Sequence, residues 1–276
     1  MLPALAHSSP SHSPTVRFAE DRELVERHLE SLLGDPAPTP FRQAMRYAVF
    51  GQGQRLRPVL ALRVGRLCGH DNALALRAAA AVEILHCASL IVDDLPCMDN
   101  SPERRNRPAA HVAFGESTAL LAAFGLVALA ARCIVEQPCP PALLPSLIRF
   151  QSQLLRALDV CGLCEGQDLD LRAKPCERAQ LRDCMNELKT VPLFDLAAQA
   201  GLLFTDPESP LARTLRQFGR EFGRAFQLVD DYLDGEVSDR EAVEARLRRA
   251  EQVLAPLGPA ATELLEMVEV LRARCQ

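Results

Sequence analysis

Residues able to do chemistry gather in two places in this 276-residue chain. In Glu83–Pro108, EILHCASLIVDDLPCMDNSPERRNRP, an apolar helical run ends in Asp93 and Asp94, followed by Asp99 and then by Arg104 and Arg105. Far downstream, Phe226–Asp234 reads FQLVDDYLD and ends a second apolar run in Asp230, Asp231 and Asp234. Carboxylates this close to apolar segments are costly unless a counter-ion meets them. Hard oxygen donors with no His or Cys among them suit Mg²⁺, which prefers a few carboxylates completed by the oxygens of a phosphate substrate. The pattern points to one cation site shared by both clusters, with a diphosphate bridged between them. The alternative, two solvated acidic faces, sits poorly with the apolar residues that precede each cluster.

Other residue types support an anionic ligand. GQGQRLRP at Gly51–Pro58 brings two glycines and an Arg-x-Arg pair together, so backbone N–H groups and guanidinium groups converge on an anion. Lys174 and Lys189 are the only lysines in an otherwise arginine-based set of cations, which marks Lys189 as a specific choice. His86 precedes Asp93 by two helical turns and lies about 20° off its face, within reach of the same cavity.

These residues need helices to position them. Residues four apart on a helix differ by about 40° of rotation, so Ser89 shares a face with Asp93, and Asp230 with Asp234. Pro96 disfavours further helix, so Asp99 is expected to be carried round by a turn. Periodicity predicts helices over Arg17–Leu33, from Phe41, over Val59–Cys68, Ala73–Asp94, Ser117–Glu136, Ala142–Cys164, Glu177–Phe204 and Leu211–Asp234, and a terminal pair over Arg240–Arg274. With no β pattern and no internal repeat, the fold class is all-α: a large single-domain helical bundle with a central cavity over residues 17–276, behind a disordered tail of residues 1–16.

Composition sets outer bounds. The chain is 48% hydrophobic but only 5% aromatic, with no Trp, so the core is aliphatic. A formal net charge of -5 offers no basic face for nucleic acid. Ten cysteines in helical contexts, among them Cys68, Cys87, Cys133 and Cys184, read as reduced, buried thiols, and Cys161-x-x-Cys164 is a lone pair with no second pair nearby. The Ser/Pro-rich first residues lack a basic region and a long apolar region, and no apolar run reaches the roughly 20 residues that span a bilayer. A soluble, cytoplasmic protein that does not span a membrane is expected.

GQGQRLRP, LHCASLIVDDLPCMDN with ERRNRP, GLCEGQDLDL, ELKT and FQLVDDYLD stand in the order and approximate spacing of the trans-isoprenyl diphosphate synthases, or polyprenyl synthetases. The chain resembles that family over roughly Leu24–Arg274, with one gap. Four residues between Asp94 and Asp99 make the first motif similar to the longer form of geranylgeranyl and bacterial farnesyl diphosphate synthases.

The resemblance implies a Mg²⁺-dependent prenyltransferase that condenses an allylic diphosphate with isopentenyl diphosphate. Asp93, Asp94, Asp99, Asp230, Asp231 and Asp234 would bind Mg²⁺ and, through it, the allylic diphosphate. Arg104, Lys189, Thr190 and Gln227 would contact the same substrate. Arg57, His86 and Arg105, with Gln54 in the same loop, would face the diphosphate of isopentenyl diphosphate. Chain length would be set by Ala88 and Ser89, whose small side chains favour geranylgeranyl over farnesyl diphosphate, and by Phe124, which stands where it narrows the pocket. A homodimer is the family expectation.

Three departures from the family pattern keep further readings open. Gln54 stands where the family usually has Lys, and losing that charge-assisted contact costs about 1.5–3 kcal/mol, or one to two decades in affinity. About twenty residues carrying lysines and a Thr-Tyr-Pro-like turn are missing after Asp234, where GEVSDREAVEARLRRA follows directly, with Arg240 as a candidate replacement cation. Ser101-Pro102-Glu103 replaces an acidic pair, and Val92 a common His. The alternatives are a terpene cyclase or lyase that ionises a prenyl diphosphate without isopentenyl diphosphate, and a catalytically impaired partner subunit of an active synthase.

Overall fold

The computed structural model describes residues 14–34, 39–70, 73–136, 139–160, 162–174 and 176–275. Helix α1 (Pro14–Leu33) is followed by α2 (Pro40–Val49), α3 (Leu56–Leu67) and α4 (Ala73–Asp93). A two-stranded hairpin comes next, β1 (Glu103–Arg104) with β2 (Arg107–Pro108), and then α5 (Ala110–Phe114) and α6 (Glu116–Val135). A short 3₁₀ turn leads into α7 (Leu144–Arg156), α8 (Leu163–Arg172), α9 (Arg178–Lys189), α10 (Val191–Gly201), α11 (Pro210–Leu233) and α12 (Arg240–Leu254). A second 3₁₀ stretch, Ala255–Ala261, turns the chain into α13 (Thr262–Ala273).

Helix α4 is the axis of the bundle. Its alanine-rich sequence, with Ala78–Ala81 at 0–1% exposure, has too little side chain to hold neighbours apart, and α3, α6 and α10 pack directly on it. The aliphatic core grows from these contacts, with Val59, Leu60, Ile84, Leu126, Leu193 and Val229 fully buried. Ion pairs fasten the periphery. Arg63 and Arg66 of α3 share Asp21 of α1 and reach Glu266 and Glu263 of α13, while Arg55 bonds Glu26 and Glu83. Buried pairs of this kind fix register more than they add stability, because desolvation offsets most of the attraction.

Several sequence expectations are corrected. The helix expected over Ala142–Cys164 is two helices, α7 and α8, joined by a turn in which Leu163 N–H reaches Ala157 O and Cys164 N–H reaches Leu158 O. The helix expected over Glu177–Phe204 breaks at Thr190 (φ -111°, ψ -49°), because Pro192 lacks the N–H that would bond the carbonyl of Leu188 and its ring crowds that carbonyl, while Pro is tolerated in the first turn of α10. The hairpin was invisible to periodicity because its strands are two residues long; Arg105 (φ 56°) and Asn106 (φ 60°) form its left-handed turn. The helix of the N-terminal tail starts at Pro14, three residues inside the segment expected to be disordered, and residues 1–13 lie outside the described residues, as does Cys161. Cys87 and Cys133 are buried, but Cys184 is exposed; all cysteines among the described residues are free. Contrary to the hydropathy expectation, α4 and α6 are long and apolar enough to cross a bilayer, although most of α4 is covered by its neighbours.

Candidate active site

Helices α4 and α11 both pack on α10, and their acidic ends are linked through the point where α9 gives way to α10. The break at Thr190 puts two side chains there. Lys189, the last residue of α9, pulls electrostatically on Asp93. Thr190 donates to Gln227 Oε1 of α11 at 2.6 Å, and Gln227 Nε2 donates to Asp231 Oδ1 at 2.7 Å. A chain of contacts thus runs from one acidic cluster to the other.

At the first cluster Asp93 is half-buried. Asp99 is returned to it by a turn in which Asp99 N–H bonds Asp93 O at 2.9 Å, with Asn100 (φ 49°) left-handed beyond it. Burial pushes the Asp93 carboxyl up to about 6; Lys189 and Arg104 oppose the rise, and Asp99 and Asp94 add to it. Asp94 differs from its neighbour. It is 2% exposed, and Arg104 grips it through Nε at 3.0 Å and Nη2 at 2.5 Å.

The second cluster repeats this division. Asp231 is 6% exposed and accepts from Gln227 and from Asn186 Nδ2 at 3.3 Å. Asp230 is half-buried, Asp234 follows it one turn later, and burial raises the Asp230 carboxyl against the pull of Arg274. Successive helix residues point about 100° apart, so one aspartate of each pair is buried against protein while its neighbour stays half-buried. Of the six expected cation ligands, Asp94 and Asp231 are the two buried against protein, while Asp93 and Asp230 are half-buried and Asp99 and Asp234 exposed. Among the described residues no three Asp, Glu, His or Cys side chains lie close enough together to hold a metal ion by themselves. The Asp93 carboxyl, raised to about 6 by burial, and the buried unpartnered Gln167 Oε1 beside Asp99 are hard oxygen donors of the kind a divalent cation takes.

Helix α8 adds residues that the sequence reading passed over. Gln167 donates to Asp99 Oδ1 at 3.2 Å, and Asp170, one turn on, holds Lys189 Nζ at 2.9 Å. Gly166 makes room for this: a Cβ there would lie 2.7 Å from Lys189 Cγ. The signal was present in GLCEGQDLDL, where Gln167 and Asp170 are spaced i, i+3 next to that glycine. Asn186 and Arg274 carried no comparable local signal.

Cations collect beside the clusters. Arg57 is 9% exposed, donates to His86 Nε2 at 3.3 Å and faces the rings of Phe194 and Phe226 at 4.5 and 5.6 Å. Burial lowers its guanidinium to about 10, and its Nε is buried without a partner. His86 is held well below its ordinary value by burial and then by Arg57 and Arg105, so it is a neutral ring accepting from Arg57. Arg105 crosses the loop after α2, where a Cβ on Gly53 would meet its Nη1 at 3.0 Å. Gln54 in that loop is exposed.

From this polar end an apolar cavity of about 240 Å³ runs along α4 past Ser89 and Ala88 to Val127, Leu158 and Leu163. Its walls are aliphatic and its mouth carries Asp93 and Gln167. Phe124, expected to narrow it, is 65% exposed on the outer face of α6 and is not part of its wall. A larger depression of about 330 Å³ lies between α7, α10 and α11 and contains none of the six aspartates.

Comparison with known proteins identifies the family and the fold. A sequence profile of the polyprenyl synthetase family matches residues 38–244. Geranylgeranyl pyrophosphate synthase 4 of Arabidopsis thaliana is 35% identical over 79% of this chain and 59% of its own length. The heterodimeric geranylgeranyl pyrophosphate synthase large subunit 1, chloroplastic, of the same organism is 34% identical over 86% of this chain and 66% of its own. The chain thus spans about 59–66% of the length of these curated relatives. Among solved structures, a geranyltransferase from Legionella pneumophila superposes with TM-score 0.85 at 32% identity, covering 95% of this chain and 97% of that one. An FPP/GFPP synthase from Zymomonas mobilis gives 0.82 at 28% identity, covering 92% and 97%.

Proposed function

The chain belongs to the polyprenyl synthetase family, and we propose that it joins an allylic prenyl diphosphate to isopentenyl diphosphate, with geranylgeranyl diphosphate as product. The observation that carries this reading is the meeting of the two acidic helix ends across Lys189 and Thr190, at the mouth of an aliphatic cavity.

In this reading Asp93, Asp99, Asp230 and Asp234 hold Mg²⁺, while Asp94 and Asp231 position them. When bound, Mg²⁺ neutralises the diphosphate and stabilises the charge that develops as it leaves. Lys189 stands beside that leaving group. Arg57 and Arg105 receive the diphosphate of isopentenyl diphosphate, and the buried Arg57 Nε is a donor waiting for such an anion. His86, neutral, keeps the Arg57 guanidinium in place. The aliphatic walls exclude water from the allylic cation until the double bond of isopentenyl diphosphate attacks it. The released diphosphate takes the proton, so no side-chain base is needed. Small Ala88 and Ser89 leave room for a longer tail, which favours geranylgeranyl over farnesyl diphosphate.

A second copy of the chain is the proposed partner. Leu120, Leu121 and Phe124 on α6, with Leu144, Ile148 and Leu155 on α7, leave an apolar surface at 40–65% exposure that a homodimer would cover.

One observation favours a second reading: Gln54 offers no charge to isopentenyl diphosphate, as in an enzyme that ionises a prenyl diphosphate alone. The deciding experiment incubates the protein and Mg²⁺ with dimethylallyl, geranyl or farnesyl diphosphate, each with and without isopentenyl diphosphate, and identifies products by mass. Elongated diphosphates formed only with isopentenyl diphosphate support the proposal. Hydrocarbon or alcohol formed without it supports the second reading, and no product from any pair leaves the impaired subunit.

A further inference from the structure

Arg105 stands free where its hairpin neighbour is tied down. Arg104 is clasped by Asp94, whereas Arg105 has no ion pair among the described residues and repels the like charge of Arg57. Its backbone is left-handed (φ 56°), which is strained for a residue with a Cβ and persists only where the surroundings impose it. The hairpin cannot impose it unaided, because two strands of two residues each are too short to be stable by themselves.

The hold comes from the next residues of the hairpin. Arg107 Cζ lies 3.8 Å from the centre of the Tyr47 ring, and its Nη2 donates to the Tyr47 carbonyl. The Tyr47 hydroxyl in turn donates to Pro108 O at 2.7 Å, and the Phe114 ring meets Tyr47 edge-on at 5.1 Å. Helix α2 and the hairpin are thus joined at both Arg107 and Pro108. Directly beyond, two glycines clear a slot. A Cβ on Gly51 would lie 3.0 Å from Arg107 Nη2 and 3.5 Å from Arg105 Cδ, and one on Gly53 would lie 3.0 Å from Arg105 Nη1.

We propose that Tyr47 and Arg107 form a latch that locks the hairpin onto the Gly51–Gly53 loop and so holds Arg105 ready, beside Arg57, for the diphosphate of isopentenyl diphosphate. Both are positioning residues. The latch rests on the reading above in which Arg57 and Arg105 receive that diphosphate. Two guanidinium groups brought together with no anion between them repel, and a short hairpin moves away unless it is fastened. Fastening it beforehand removes the ordering cost from the binding step. A cation stacked on an aromatic ring suits this task, because it needs no carboxylate that would compete for Arg105.

The test reads anion binding without turnover. In EDTA the aspartate clusters carry no metal and repel an anion, so inorganic pyrophosphate titrated calorimetrically into the full chain reports the arginine pair. Arg107→Met and Tyr47→Leu each remove the stack and should weaken pyrophosphate about tenfold, the loss of one charge-assisted contact. The double variant should lose no more than either single one, since all three break the same latch. Tyr47→Phe keeps the ring and should lose less, about threefold at most. In turnover assays Arg107→Met should raise KM for isopentenyl diphosphate about tenfold and change kcat less than about twofold, because Arg104 stays fastened to Asp94. Hydrogen exchange should quicken at Ala109 N–H, which bonds Pro102 O across the base of the hairpin, while α4 keeps its protection. Unchanged pyrophosphate affinity in both single variants, additive losses in the double variant, or loss of protection in α4 as well would each overturn the latch alone. If wild type binds no pyrophosphate in EDTA, the assignment of Arg57 and Arg105 falls and takes the latch with it.

Discussion

The Thr190 hydroxyl donates to Gln227 Oε1 at 2.6 Å, and this contact fixes the orientation of the Gln227 amide. With its oxygen engaged, the amide offers Nε2 to Asp231 at 2.7 Å, and Asn186 takes the other Asp231 oxygen at 3.3 Å. Asp231 is thereby buried against protein, while Asp230 is half-buried and Asp234 exposed. The break between α9 and α10 is thus connected to the direction in which the second acidic cluster faces.

Thr190→Val keeps the shape of the side chain and removes the donor, so the amide is free to flip. Loss of such a supporting contact around a metal site lowers activity about 10–100-fold. Stability should fall by only about 1 kcal/mol. Steady-state kinetics and thermal melts on the same preparation separate the two effects, and unchanged kcat/KM would remove Thr190 from the site.

Asp93 links pH to both stability and activity. Its folded-state value, about 6, lies above the ordinary 3.8, so the folded state binds the proton more tightly than the unfolded state. The stabilising contribution is complete below pH ~4 and is lost as pH rises through ~6, a change of about 3 kcal/mol without bound metal. Asp93→Asn should flatten this dependence and raise Tm at pH 7 in the presence of chelator, while abolishing turnover. In wild type, cation binding needs the carboxylate, so activity should fall as pH drops below ~6. Melts at pH 5 and 7 that show no difference between variant and wild type would refute the burial argument.

Ala88 lies on the cavity wall at 1% exposure, directly before Ser89 and five residues before Asp93. Ala88→Phe adds a ring where the cavity narrows and should shift the product from geranylgeranyl to farnesyl diphosphate, read by mass spectrometry. An unchanged product would mean that the tail does not run along this wall.

Gln54 is exposed in the loop beside Arg105. Gln54→Lys restores a charge-assisted contact and should lower KM for isopentenyl diphosphate about tenfold with little change for the allylic substrate. Equal KM values in the two proteins would show that the position does not touch that substrate.

Leu121 stands at 57% exposure in the middle of the apolar surface of α6. A charge there opposes burial against a second copy, so Leu121→Asp should sediment as a monomer at micromolar concentration where wild type sediments as a dimer. A dimeric variant would move the interface to another face.

The helical class, the alanine-rich central helix, both acidic clusters, Lys189 and the small residues beneath Asp93 were legible in the sequence, because each is expressed in composition or in a period of 3.6. Helical spacing fixes how residues on one helix lie relative to each other. It does not fix the rotation of that helix against its neighbours. Only packing could therefore decide that Asp93 lines the cavity while Asp94 and Asp231 turn to Arg104, Gln227 and Asn186, and that Phe124 points outward. The breaks at Gly162 and Thr190 and the left-handed turn at Arg105 and Asn106 depend on single residues within strong periodic patterns. Arg274 reaches Asp230 across 44 positions of sequence, a pairing created by the fold of α12 and α13 back onto α11 and by no local pattern at all.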